Sequence, residues 1–200
     1  MRVISGTAKG FSLESVDRDN LRPMLDRVKE SLFNLIRGEV TGGRVLDLFC
    51  GTGALGIEAL SRGAESCVFV ETDNRLAKLT EENLEHCRLS EKAMVLRDDF
   101  FYLATRPVPS DYLPATLVFA DPPYVMVEDP NKRADLFETL EELCGEWIAP
   151  DALLMLHHAP MPRALWPTEL LTHLESRIYG NSQLTFFEVP AEEDGEHDSE

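Results

Sequence analysis

The segment Asp121-Pro122-Pro123-Tyr124 contains the most distinctive chemistry in the chain. It directly follows residues 117–120, an apolar run typical of a buried strand. The two prolines remove two N–H donors and restrict the backbone, so the corner is rigid and rich in acceptors. Such a corner can hold the N–H groups of an amine on a planar base, and a tyrosine can stack on that base. The pattern predicts a site that prepares an aromatic amine for nucleophilic attack; its structural alternative is an ordinary turn.

A second motif joins a short apolar run, residues 44–49, to a helix through glycines. Gly51, Gly53 and Gly56 match G-x-G-x-x-G. Glu71 lies about 20 residues further on, at the end of the next predicted strand, where such an acid holds ribose hydroxyls. The structural alternatives are a tight connection at the glycines and a surface acid at Glu71.

The acid at Asp47 argues against a dinucleotide. A pyrophosphate would bind at the helix N-terminus, and a carboxylate nearby would repel it. The same acid would attract a ligand that carries an ammonium and a sulfonium but no phosphate. The sequence therefore predicts S-adenosylmethionine as the cofactor.

The elements that must position these motifs alternate between strands and helices. A hairpin or extended arm is predicted up to Leu13, and Pro23 and Asp26 introduce a helix that ends at Gly38. Further strands are predicted at 44–49, 66–71, 93–97, 115–120 and 152–156, and further helices at 51–62, 74–89 and 132–147. Residues 170–178 and 183–189 flank a Gly180-Asn181 turn and predict an antiparallel hairpin. This order predicts an α/β fold, with a mostly parallel sheet covered by helices on both faces.

Ligands of such sheets bind beyond the carboxyl ends of the strands. Asp98 and Asp99 follow the third strand, where an adenine amine could bind, although either acid could instead cap a short helix. His157 and His158 lie near the end of the fifth strand, and we interpret both as structural.

Length and charge predict one domain, residues 1–190, followed by a disordered acidic tail, residues 191–200. The 200-residue chain has 19 basic and 36 acidic residues, a net charge of −17. The first 37 residues are locally basic, which fits either solvated charges or a phosphate-binding surface.

Other classes of protein are disfavoured. We find neither a membrane-spanning apolar run nor a secretory signal. The four cysteines lack C-x-x-C spacing, which argues against a disulfide framework or a zinc site and favours a reducing, cytoplasmic setting without a metal.

The two motifs together resemble class I S-adenosylmethionine-dependent methyltransferases that act on amino groups. Residues 2–6, Lys9-Gly10, Arg22-Pro23 and residues 26–34 are similar to the N-terminal signature of the RsmD family. Those bacterial enzymes methylate the N2 amine of a guanine in small-subunit ribosomal RNA, conventionally guanine 966. The similarity extends from about Arg2 to Val189, with Phe11 where a basic residue is common and Met24 where threonine is usual.

The resemblance implies a Rossmann-like, seven-stranded methyltransferase sheet with the hairpin at its edge. The partner that it implies is 16S rRNA, within the small ribosomal subunit or its assembly intermediate; we expect the protein to be a monomer. The resemblance places the target amine at Asp121 through Tyr124. It assigns the cofactor to Asp47, Phe49, Gly51, Gly53, Glu71 and Asp98 or Asp99, and RNA contact to Arg2, Lys9, Arg22, Arg27 and Lys29.

Three alternatives remain open at this point. Adenine-N6 methylation of DNA also uses D-P-P-Y, although the chain has no obvious separate target-recognition domain. Nicotinamide-dependent oxidoreduction fits the glycine motif but leaves D-P-P-Y unexplained. A non-catalytic assembly factor would have no need to keep Asp121, Pro122 and Tyr124.

Overall fold

A computed structural model describes residues 1–15, 24–168 and 170–191. Seven strands form one sheet in the order β3-β2-β1-β4-β5-β7-β6. Their bounds are β1 Arg44–Leu48, β2 Ser66–Val70, β3 Ala93–Leu96, β4 Ala115–Ala120, β5 Ile148–His158, β6 Thr172–Tyr179 and β7 Ser182–Glu188. The first five strands pair in parallel, and β7 runs antiparallel to both β5 and β6. The predicted fold class and the terminal hairpin are confirmed.

Among the described residues, six α-helices and three short 3₁₀ turns precede, connect or follow the strands. The α-helices are α1 Asp26–Leu35, α2 Arg37–Val40, α3 Ala54–Ser61, α4 Asn74–His86, α5 Tyr124–Glu128 and α6 Pro130–Glu142. The 3₁₀ turns are Ser90–Lys92, Phe100–Thr105 and Arg163–Leu165. Within the described ranges, no helix is long and apolar enough to cross a membrane.

Three predicted elements have different boundaries in the structure. The first helix ends at Leu35, and Gly38 lies inside the short α2 instead of ending a helix. Helix α6 begins at Pro130 because Asp129 caps it, accepting from the backbone N–H groups of residues 131 and 132. It ends at Glu142, so Trp147 is buried but lies beyond the helix. Strand β5 is longer than predicted, and it pairs with β4 on one side and β7 on the other.

The sheet separates two apolar clusters, one on each face. Val45, Phe69 and Phe119 pack on the face covered by α1 and α3. Leu46, Val118 and Leu140 belong to the opposite cluster, which includes α6. Because neighbouring strand residues point to opposite faces, each central strand contributes to both clusters.

An N-terminal hairpin is fastened to α3. Arg2 and Ser12 form its antiparallel bridge, as the arm prediction implied. The buried carboxylate of Glu58 accepts from the backbone N–H of Ile4 at 2.7 Å and of Ser5 at 3.0 Å. The arm therefore packs as part of the domain.

Lys29 belongs to this anchor, and its assignment to RNA contact is corrected. Its side chain is 1% exposed, its Nζ donates to the Arg2 carbonyl at 2.8 Å, and it lies 3.6 Å from Glu58. Burial lowers the pKa of Lys29, with Glu58 opposing that shift. An ammonium fixed inside the domain cannot reach a phosphate. Arg22 and residues 192–200, most of the predicted tail, lie outside the described residues.

Candidate functional site

The two motifs lie side by side at the centre of the sheet. Strand β1 pairs with β4, with Leu48 opposite Ala120. The glycine loop (residues 49–53) and the proline corner (residues 121–124) follow these two strands and therefore leave the same edge of the sheet. The backbone N–H of Asp121 donates to the Leu48 carbonyl at 3.4 Å, extending the ladder by one residue. The order of the strands reverses beside β1, which is where α/β proteins bind ligands.

The glycine loop has a backbone that suits close approach of a ligand. Phe49, Gly51 and Gly53 all have positive φ, of 59°, 58° and 76°. A Cβ added to Gly51 would meet no atom within 4 Å, whereas one added to Gly53 would lie 2.8 Å from Thr80. Gly51 therefore borders open space, and Gly53 starts α3 in a packed position. A non-glycine residue with positive φ such as Phe49 is a sign of strain at a functional loop.

Glu71 ties this loop to the next strand. Its Oε2 accepts from the N–H of Gly51 at 3.0 Å, and its Oε1 accepts from the N–H of Asp73 at 2.8 Å. The half-buried carboxylate thus lies beside the open face of Gly51, as a ribose-binding acid would.

Asp47 lies beneath the loop, fully buried. Its Oδ2 accepts from the N–H of Gly56, in the first turn of α3, at 2.8 Å. Burial raises the pKa of Asp47 to about 8, and the nearby charges of Asp121 and Glu71 contribute to that rise. Three carboxyl groups therefore interact at this edge, and a cationic ligand would relieve their repulsion where a pyrophosphate would add to it.

The structure gives the two acids after β3 different roles. Asp98 accepts from the Arg106 guanidinium through both oxygens, at 2.6 and 3.0 Å, and this pairing lowers the pKa of Asp98. Asp99 accepts from the N–H of Phe101 at 3.1 Å and so caps the 3₁₀ turn. The capping alternative holds for Asp99, which leaves Asp98 as the better candidate for an adenine amine.

Aromatic rings lie between these acids and the glycine loop. The Phe49 and Phe100 centroids are 4.8 Å apart, and those of Phe100 and Phe101 are 5.1 Å apart. Phe49 and Phe101 are half-buried, so their rings can border a flat ligand. Carboxylates for a cation and for ribose hydroxyls, with an apolar border for a purine, fit S-adenosylmethionine.

The proline corner is fixed by the burial of Pro122 and by a contact between α6 and the short helix α5 that follows the corner. Pro122 is buried, and Pro123, with φ −50°, precedes the first residue of α5, Tyr124. The buried guanidinium of Arg133 donates to the Val127 carbonyl at 2.7 Å, close to the C-terminus of α5. The short helix that presents Tyr124 is thereby fixed to α6.

His157 is the site residue that the sequence interpretation missed. Its Nδ1 lies 2.7 Å from Oδ1 of Asp121, and its Nε2 lies 3.5 Å from the Tyr124 hydroxyl. The Tyr124 and His157 rings meet edge to face, with centroids 5.7 Å apart. The pairing of β4 with β5 could have identified His157. Ala120 lies opposite Leu156, so Asp121 and His157, which follow them, must be adjacent.

His158 remains structural, as predicted. Its ring nitrogens lie 2.6 Å from the Ala159 carbonyl and 2.8 Å from the Thr185 hydroxyl. Burial lowers the pKa of His158 to about 4, so the ring is neutral at physiological pH.

Three of the predicted RNA-contact residues, Arg2, Lys9 and Arg27, are exposed. Arg27 lies in the first turn of α1. The short helix α2 and residues 41–43 connect α1 to the start of β1, so we expect the start of α1 to lie toward the edge that carries the two motifs. Contact of Arg27 with a phosphate near the site stays a prediction.

Comparisons with known proteins match this architecture along nearly its whole length. A family model described as Conserved hypothetical protein 95 matches residues 1–188. Ribosomal RNA small subunit methyltransferase D of Escherichia coli K12 is 34% identical over 155 residues, covering 77% of this chain and 72% of that protein. YlbH of Bacillus subtilis 168 is 46% identical over 127 residues, which is 62% of this chain and 67% of that one.

Solved structures share the fold. Escherichia coli yhhF superposes with a TM-score of 0.77 at 28% identity, covering 96% of this chain and 98% of that chain. An RNA methyltransferase of Salinibacter ruber, solved with S-adenosyl-L-homocysteine, has a TM-score of 0.62 at 19% identity, covering 90% of this chain and all of that one. At that identity, the second likeness concerns the fold alone.

Proposed function

This chain belongs to the RsmD family of methyltransferases, and on that premise we propose that it methylates a guanine N2 amine in small-subunit ribosomal RNA. The proposal depends most on one observation: the Asp121 corner and the glycine loop leave adjacent parallel strands at the same edge. This arrangement supports an acceptor for an amine beside the site of a methyl donor.

S-adenosylmethionine supplies an electrophilic methyl group when bound. Glu71 would hold its ribose hydroxyls, and Asp98, with the Phe49 ring as an apolar border, would accept from its adenine amine. Gly51 would leave room for the methionine portion. Asp47 lies beneath it, where a bound cationic ligand would favour the ionised form of the carboxyl.

The chain's own residues prepare the nucleophile. An exocyclic amine on a base is a weak nucleophile because its lone pair is delocalised into the ring. Asp121 and neighbouring carbonyls accept from its N–H groups and favour the pyramidal form, while Tyr124 stacks on the base. A bound methyl donor would supply the electrophilic carbon for this nitrogen, and Asp121 or water would accept the proton that the amine loses. Orientation of the two reactants contributes up to about 7–11 kcal/mol.

The net charge of the chain favours an assembled subunit over free RNA as the substrate. A chain of −17 repels free RNA, so we infer that an assembled or partly assembled small subunit presents the base. Exposed cations such as Arg27 and Lys9 then meet phosphates locally.

The test is methyl transfer from labelled S-adenosylmethionine to small subunits that lack the modification. We expect label on the N2 amine of one guanine. Naked 16S rRNA and unmethylated DNA serve as parallel substrates. Label on adenine N6 of DNA would favour the alternative, and no transfer to any of the three would reject the proposal.

A further inference from the structure

We propose that His157 is a positioning residue for methyl transfer, which aligns both the amine acceptor Asp121 and the stacking residue Tyr124. The inference rests on the proposed function, since it assigns a role within that site. It is carried by the geometry that joins the end of β5 to the proline corner.

His157 and Asp121 differ in burial. The His157 side chain is 4% exposed and lies on the central strand β5, whereas the Asp121 side chain is 29% exposed at the open edge. The final torsion of an aspartate is soft, so an exposed carboxylate rotates easily. A hydrogen bond of 2.7 Å from a fixed ring restrains Oδ1 and leaves Oδ2 for the substrate amine.

Donor and acceptor chemistry determines the tautomer. An ionised carboxylate only accepts, so Nδ1 of His157 must carry the proton. In the neutral ring Nε2 then has a lone pair, and it faces the Tyr124 hydroxyl at 3.5 Å, the outer limit of a hydrogen bond. Tyr124 is the donor in that contact. The His157 imidazole therefore contacts both side chains and orients the Tyr124 ring and the Asp121 carboxylate relative to each other.

The expected consequence is kinetic. A misplacement of about 1 Å can reduce a rate about 100-fold when catalysis depends on orientation. Because His157 lies on the amine side of the site, its loss should lower kcat without affecting affinity for S-adenosylhomocysteine.

Side-chain replacements separate positioning from packing. His157→Asn keeps an N–H near the Nδ1 position, and His157→Leu keeps apolar volume but removes both nitrogens. We expect kcat to fall about 100-fold in His157→Leu and to recover to within about 10-fold of wild type in His157→Asn. Affinity for S-adenosylhomocysteine should stay within a few fold in both. His158→Leu, on the same strand, is the matched control: its stability should fall while the folded protein keeps its kcat.

An unchanged kcat in His157→Leu would overturn the inference, as would an equal loss in His157→Asn and His157→Leu. Methyl transfer by the wild type, measured alongside, reports the proposed function separately. If the wild type transfers no methyl group, or if the leucine variant fails to fold, NMR of ¹⁵N-labelled histidine decides the inference without any substrate. We expect the Nδ1–H tautomer at His157 in the wild type and a shifted signal in Asp121→Ala. The Nε2–H tautomer at His157 would refute the inference, and so would a His157 signal that is unchanged in Asp121→Ala.

Discussion

Two aspartates near the ends of neighbouring strands have opposite surroundings. Asp47 is buried under the glycine loop, and Asp121 is partly exposed beside His157. We therefore propose that the first contributes to the environment of the cofactor and that the second contacts an incoming base. Substitutions at these positions should separate cofactor binding from turnover.

Asp121→Ala should abolish turnover, with a loss of at least about 100-fold, because it removes the acceptor on which the amine depends. Affinity for S-adenosylhomocysteine, measured by calorimetry, should stay within a few fold of wild type. A large loss of that affinity would mean that Asp121 belongs to the cofactor site.

Asp47→Asn should flatten the pH dependence of stability. The pKa of Asp47 rises from 3.8 to about 8 in the folded protein, chiefly through burial. Between these values the folded state binds more protons than the unfolded state, so the free energy of unfolding falls as pH rises, by up to about 1.4 kcal/mol per pH unit. Asparagine cannot titrate, yet it can still accept from Gly56. Denaturant unfolding of both proteins at pH 5 and pH 7 measures the difference; parallel pH profiles would contradict it.

At the scale of elements, the N-terminal hairpin is an addition to the alternating strands and helices of the α/β domain, and it packs against α3. Its anchor is the buried Glu58, together with Lys29 and the close approach of Gly6 to α3. A Cβ on Gly6 would lie 1.7 Å from the Ser61 carbonyl oxygen, whereas a Cβ on Gly10 would meet nothing within 4 Å. Both glycines have positive φ, 83° and 90°.

Gly6→Ala should therefore destabilise the domain far more than Gly10→Ala. The Gly10 change carries only the backbone strain of an L residue, about 1–2 kcal/mol. The Gly6 change adds a clash that must detach the hairpin from α3. Unfolding in denaturant gives both values, and equal losses would mean that the hairpin does not depend on this contact.

Sequence periodicity predicted the elements well because strand and helix burial repeat with fixed periods. It predicted all five parallel strands and the hairpin to within a few residues, apart from the longer β5. It could not identify the roles of Lys29 and His157, which depend on partners 29 and 36 residues away in Glu58 and Asp121. The short helices α2 and α5 were also missed, since four or five residues are too few to show a period.

At the scale of the whole molecule, net charge and local charge oppose each other. The chain is strongly acidic, yet Arg2, Lys9 and Arg27 lie exposed on the N-terminal segment. Attraction to RNA must therefore be local and short-ranged, and salt should screen it.

Arg27→Glu should weaken binding to the unmodified small subunit and make its salt dependence less steep, by about 0.7–0.9 for each phosphate that the protein no longer neutralises. Lys92→Glu is the matched control, since this exposed lysine precedes β3 and so lies at the opposite end of the sheet. Binding isotherms at several salt concentrations measure both. An equal effect of the two changes would place the RNA elsewhere.

We propose above all that Asp121 and Tyr124 hold a base amine against the methyl donor. A crystal structure with a non-reactive S-adenosylmethionine analogue and a guanosine nucleotide tests it most directly. We expect the guanine to stack on Tyr124, with its N2 donating to Asp121 and lying about 3–3.5 Å from the position of the transferred group. A cofactor bound away from Gly51 and Glu71, or a guanine whose N2 lies far from Asp121, would contradict it.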